Sequence, residues 1–96
     1  MKFIIFYTGP KTPPDASHKG WMTWFSNLGN ALVDHGSPLS NGVALHNDGA
    51  KAESKTSYNG YSIIEAKDQD KALALIKDHP YLSLGKEYSI EVFKKG

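Results

Sequence analysis

Phe3-Ile4-Ile5-Phe6-Tyr7 is an unbroken apolar run rich in β-formers, stopped by Thr8, Gly9 and Pro10. A run of this length with aromatic and β-branched residues reads as a strand buried on both faces. Both of its faces therefore need cover from the rest of the chain. Residues 11–16, with Pro13 and Pro14, form a loop, and Ser17 has the side chain of a helix N-cap. Trp21, Phe25, Leu28 and Leu32 follow at the spacing of an amphipathic helix, which is expected to end near Asp34 with Gly36 as its left-handed stop. Gly29 falls inside that span and lowers helix stability by roughly 1 kcal/mol relative to Ala.

Residues 38–46 form the expected second strand, with Leu39, Val43 and Leu45 as its apolar members and Gly42 at a bulge. A polar connection over residues 47–57 comes next, long beside the roughly 2–5 residues of most hairpin loops. Residues 58–66 read as a third strand centred on Tyr61, Ile63 and Ile64. Asp68 caps a second, short helix, Asp70 suits its first turn, and Ala72, Leu73, Leu75 and Ile76 supply its buried face before Pro80 forbids continuation. Tyr88, Ile90 and Val92 alternate with Ser89, Glu91 and Phe93, the period of a last strand.

The order β, α, β, β, α, β is the split βαβ arrangement, so the predicted fold class is α+β, ferredoxin-like, with both helices on one face of a four-stranded antiparallel sheet. The opposite face is then bare. A bare apolar face of that size is uncommon on a soluble monomer, and a second copy packed sheet to sheet, a homodimer, is the expected partner.

Composition narrows the function classes. Ninety-six residues suffice for one domain, here residues 1–96, because a chain of this size buries only about two-thirds of its unfolded surface. Eleven basic residues against ten acidic ones leave a net charge of +1 with no basic block, which argues against nucleic acid as a partner. The absence of cysteine excludes disulfides and thiolate chemistry. The apolar run at the start is shorter than the ~7–15 residues of a signal peptide core and far below the ~20 of a membrane span, so no membrane is expected and the location is cytoplasmic by default.

The succession of His18, Trp21 to Phe25 and Leu28, Gly36-Ser37-Pro38-Leu39, Gly60-Tyr61-Ser62-Ile63-Ile64-Glu65-Ala66, Asp70-Lys71-Ala72-Leu73, Asp78-His79-Pro80-Tyr81 and Glu91-Val92-Phe93-Lys94-Lys95 resembles the YCII-related family over nearly the whole chain. The resemblance implies a dimeric α/β barrel, related in fold to muconolactone isomerases and small cofactor-free monooxygenases, with a pocket centred on a His and an Asp. His18 matches the position of the family's histidine. The Asp-Gly-Pro-Phe loop of one branch of the family has no counterpart, since residues 50–57 carry Lys51, Glu53 and Lys55 in its place.

In the split βαβ order the first two strands run parallel and the first helix returns against them. One rim therefore collects Tyr7 and Thr8, His18, His46 with Asp48, and His79 with Tyr81. Histidine exchanges a proton near neutrality, and a carboxylate on its second nitrogen fixes its orientation. His18 and Asp48 are the expected catalytic pair, with Tyr7, Trp21, His46 and His79 lining a ligand site. Asp34 is set aside because sixteen helical residues at ~1.5 Å each place it about 24 Å from His18. His35 is expected at the same helix end. The histidine spacing lacks the two-histidine signature of a metal site, so no metal and no cofactor are expected. Ser17 lacks the context of a hydrolase nucleophile. Two function classes remain: a cofactor-free isomerase or lyase using His-Asp acid/base chemistry on a small organic molecule, and a non-catalytic module that binds a small ligand or a protein.

Overall fold

The computed structural model describes residues 1–10, 18–54 and 58–96, with the side chains of His18 and Lys19 outside the description. The expected cap Ser17 also lies outside the described residues. Among the described residues the α-helices and strands follow in order: β1 (Lys2–Thr8), α1 (His18–Leu28), β2 (Leu32–Pro38), β3 (Val43–Leu45), β4 (Lys51–Glu53), β5 (Tyr58–Glu65), α2 (Gln69–Ile76) and β6 (Ser89–Lys94). The main sheet has the order β2-β5-β1-β6 with every neighbouring pair antiparallel, and β3 and β4 form a separate two-stranded hairpin. This is the ferredoxin-like α+β arrangement with a hairpin set between its second and third sheet strands. Among the described residues no helix is long and apolar enough to cross a membrane.

Alternation along β1 decides where the core lies. Phe3, Ile5 and Tyr7 are buried, and with Ile64 of β5 they form one face of the sheet. Trp24 of α1 and Ala72 and Ile76 of α2 pack on that same face. The indole Nε1–H of Trp24 donates to the Leu75 carbonyl at 3.2 Å, which ties the two helices together above the sheet. Asp68 caps α2 as expected, its carboxylate accepting the Lys71 N–H at 2.9 Å. The other face carries Ile4, Phe6, Tyr61 and Ile63, each half-buried, and Phe93, which is 46% exposed. Phe6 stacks on Tyr58 at 4.6 Å and meets Phe93 edge-on at 5.8 Å, so aromatic rings cluster on this face, with the exposed Glu91 opposite Phe6.

Two expectations about the middle of the chain are corrected. The first helix ends at Leu28, not near Asp34, because Gly29 adopts φ +54°, the left-handed conformation that stops a helix. After a 3-10 turn over Gly29–Ala31 the chain is already the second sheet strand, and Leu32 pairs with Ile64. Gly36 is therefore no helix stop. It lies in β2 at φ +77°, inside the register shift between Asp34 and Ser37, where an added Cβ would fall 1.7 Å from the Tyr61 carbonyl oxygen. Only glycine lets β2 approach β5 there.

The second correction concerns residues 38–57. The segment expected as the second sheet strand supplies β3 instead, and the polar connection that follows contains β4. Val43 pairs with Glu53 and Leu45 with Lys51, while Val43 and Leu45 remain 67% and 71% exposed. The hairpin thus forms through its backbone ladder and its turn, not through burial.

Candidate functional site

His79 sits where Pro80 forces the chain out of its helix. The residue before a proline is driven to extended backbone, and His79 has φ −63° and ψ 133°. From there its imidazole folds over the 3-10 turn Pro80–Ser83, and Nδ1 accepts the Tyr81 N–H at 2.9 Å. A nitrogen that accepts carries no proton, so the neutral ring holds its proton on Nε2. His79 is 2% exposed, and its Nε2 has no hydrogen-bond partner among the described residues. Burial pushes the imidazole pKa from 6.5 down to about 4, which keeps the ring neutral at pH 7.

Aromatic rings surround it. Trp21 and Trp24, one helical turn apart on α1, lie at centroid distances of 4.6 and 4.1 Å from the imidazole, the Trp21 ring perpendicular to it. Tyr7, at the end of β1, is 5.0 Å away and meets Trp21 at 4.8 Å and Tyr81 at 5.3 Å. The polar tips of these rings are engaged. The Ser62 hydroxyl donates to the His35 carbonyl at 2.6 Å, which leaves the Tyr7 hydroxyl to donate to Ser62 Oγ at 2.7 Å. Burial outweighs that bond and pushes the Tyr7 pKa up to about 12. Asn59 Nδ2 donates to the Tyr81 hydroxyl at 2.9 Å and to the Pro10 carbonyl at 2.8 Å, pinning the end of β1 to the turn after α2. Burial raises the Tyr81 pKa as well.

Tyr7, Trp21 and His79, three residues expected at the site, are thus brought together from three separated segments. Trp24, Asn59, Ser62 and Tyr81 join them. The sequence reads Trp24 as packing, with an aromatic wall to a ligand as the alternative for it or Trp21, and Asn59 and Ser62 carry no local signal, because their partners are 22 to 55 residues away.

His46 and Asp48 lie elsewhere, exposed in the turn of the β3–β4 hairpin. The His46 N–H donates to the Ala50 carbonyl at 2.8 Å, and Asp48 Oδ1 accepts the Ala50 N–H at 2.9 Å. Neither residue has a ring contact or hydrogen bond to the aromatic cluster among the described residues. They do not join Tyr7 and His79 on a common rim because the second sheet strand is β2, which ends at Pro38 before their segment begins. His18 is the first residue of α1, three before Trp21. Asp34 lies in β2, so helical length no longer separates it from His18. Its Oδ1 accepts the Gly36 N–H at 2.9 Å inside the bulge. His35 is likewise a strand residue, its ring 4.9 Å from Phe25. Among the described residues no three His, Asp or Glu side chains gather in a metal-holding group.

The model of the YCII-related domain matches residues 3–94. The chain belongs to the YCII-related family. A search of the curated proteins returns no match. Among solved structures this YCII-related chain resembles 5-chloro-2-hydroxyhydroquinone dehydrochlorinase from Burkholderia phenoliruptrix AC1100, in complex with 2,5-dihydroxybenzoquinone. The TM-score is 0.58 at 18% identity, over 100% of this chain and 96% of that one. At that identity the likeness is one of fold.

Proposed function

We propose that this YCII-related chain is a cofactor-free enzyme that moves a proton on a small organic molecule, in an isomerisation or an elimination. The observation that carries the reading is the meeting of Tyr7, Trp21 and Trp24 around the buried imidazole of His79. An aromatic cage with few polar groups is the ordinary chemistry of a small-molecule site. The fold likeness to a dehydrochlorinase solved with a dihydroxybenzoquinone agrees with a flat ring as the ligand.

In this reading His18, at the start of α1 beside that cage, is the general acid or base. His79 and Tyr7 are both held neutral, so neither exchanges a proton readily near pH 7 and the shuttle falls to another residue. A carboxylate orients His18, and Asp34 and Asp48 are the two candidates. The neutrality of His79 and Tyr7 also favours the rival reading, a module that binds a ring without transforming it.

Ring C–H exchange separates the two. Incubating the protein with 2,5-dihydroxybenzoquinone in D2O and following loss of the ring proton by NMR should show catalysed exchange, reduced on the order of 100-fold or more in His18→Ala. Parallel Asp34→Asn and Asp48→Asn variants identify the orienting carboxylate. Binding without catalysed exchange would establish the module instead.

The same reading has two copies pairing through the open sheet face. The half-buried Ile4, Phe6, Tyr61 and Ile63 and the exposed Phe93 support it, since such a face is uncommon on a soluble monomer.

A further inference from the structure

We propose that the Nε2–H of His79 is a ligand-binding donor, which receives a carbonyl or phenolate oxygen carried on a flat ring that seats against the half-buried Trp21. This rests on the small-molecule reading above and names the class of ligand and the atom it meets. Three observations lead to it.

The first is the accounting of polar atoms in the cage. The Tyr7 hydroxyl is bound to Ser62, the Trp24 indole N–H to the Leu75 carbonyl, and the Tyr81 hydroxyl to Asn59. His79 Nε2 is the buried polar atom left over among the described residues. A buried donor without a partner destabilises a fold, and such an exception points to an acceptor that arrives from outside.

The second is the fixed tautomer. With Nδ1 accepting from Tyr81 at 2.9 Å, the imidazole presents a proton and no lone pair on Nε2. It cannot bind a cation or a donor group there, and the partner must be an acceptor. The ring is also neutral, so it can polarise a carbonyl or stabilise developing negative charge on oxygen without surrendering its own proton.

The third is the shape of the surroundings. Rings from β1 and α1 stand 4.1–5.0 Å from the imidazole and pack directly on it, so a ligand ring lies against the outside of this cluster, where aromatic surface favours a flat, polarisable molecule. Trp21 is half-buried while Tyr7 and Trp24 are buried, so a ligand reaches the imidazole most directly on the Trp21 side. The perpendicular Trp21 ring is also the rival occupant, since an N–H directed at an indole face gains a weak interaction of its own.

Imidazole ¹H–¹⁵N spectra of the wild-type protein titrated with 2,5-dihydroxybenzoquinone test this, with toluene as a ring that lacks an acceptor oxygen. The His79 Nε2–H proton should move downfield on saturation with the quinone and Nδ1 should change little. Toluene should bind at least about tenfold more weakly. His79→Gln, which retains a donor and an acceptor, should keep part of the affinity, whereas His79→Phe should lose at least about tenfold. An Nε2–H resonance unmoved in a saturated complex overturns the inference alone and leaves the His18 chemistry standing. Failure to bind the quinone at millimolar concentration overturns both.

Discussion

The backbone N–H of Tyr81 donates to Nδ1 of His79 at 2.9 Å, so one histidine both caps the turn after α2 and presents a defined tautomer to the aromatic cluster. Structure and chemistry are therefore coupled at this residue, and acid should disturb them together. In the folded chain the imidazole pKa is about 4, against an ordinary 6.5. Between those values the unfolded chain binds more protons than the folded one, so stability falls as pH is lowered through that window and levels off below it. For this group the loss is on the order of 3 kcal/mol. Urea midpoints at pH 7.5 and pH 5 should differ more for the wild type than for His79→Gln; equal differences would remove His79 from the acid response.

Two glycines with positive φ should respond very differently to alanine. At Gly29 nothing lies within 4 Å of an added Cβ, so Gly29→Ala meets only the left-handed backbone penalty of roughly 1–2 kcal/mol. At Gly36 the Cβ would overlap the Tyr61 carbonyl, and β2 must separate from β5 to admit it. Gly36→Ala should lose more than about 4 kcal/mol or fail to fold. Thermal unfolding of the two variants checks the order, and similar losses would contradict the bulge geometry.

Those glycines also mark where the sequence was hard to read. Leu28 and Leu32 are four apart, so a helical stripe runs on across Gly29, although Leu32 is already paired with Ile64 in a strand. Gly36 has the composition of a helix stop and the location of a strand bulge. Where the apolar pattern reports burial directly, as in β1, β5, α2 and β6, sequence and structure agree to within a residue or two. β4 was illegible for the opposite reason: Lys51, Ala52 and Glu53 bury nothing, so no alternation reveals the strand. At the site, Pro80 showed that His79 leaves a helix, but its burial by Tyr7 and Trp24 depends on contacts 72 and 55 residues apart. No local pattern carries that.

Asp68 holds the first turn of an eight-residue helix through the Lys71 N–H. Asp68→Ala should lower stability by about 1 kcal/mol, and Asp68→Asn should restore most of it. Urea denaturation measures both; an unchanged midpoint in the alanine variant would show that packing of Ala72 and Ile76 alone holds α2.

Pairing through the open face predicts a species near twice the 10.6 kDa chain mass at low micromolar concentration. Phe93→Lys places a charge among Phe6 and Tyr58 and should shift the sedimentation to monomer without unfolding. A wild-type monomer at that concentration would refute the pairing.

The state of the His79 ring tests the central claim most directly. A long-range imidazole ¹H–¹⁵N spectrum of the wild-type protein, recorded from pH 8 down to pH 5, should show a neutral ring protonated on Nε2 throughout. A ring that titrates with a midpoint near 6.5, or that carries its proton on Nδ1, would contradict the account.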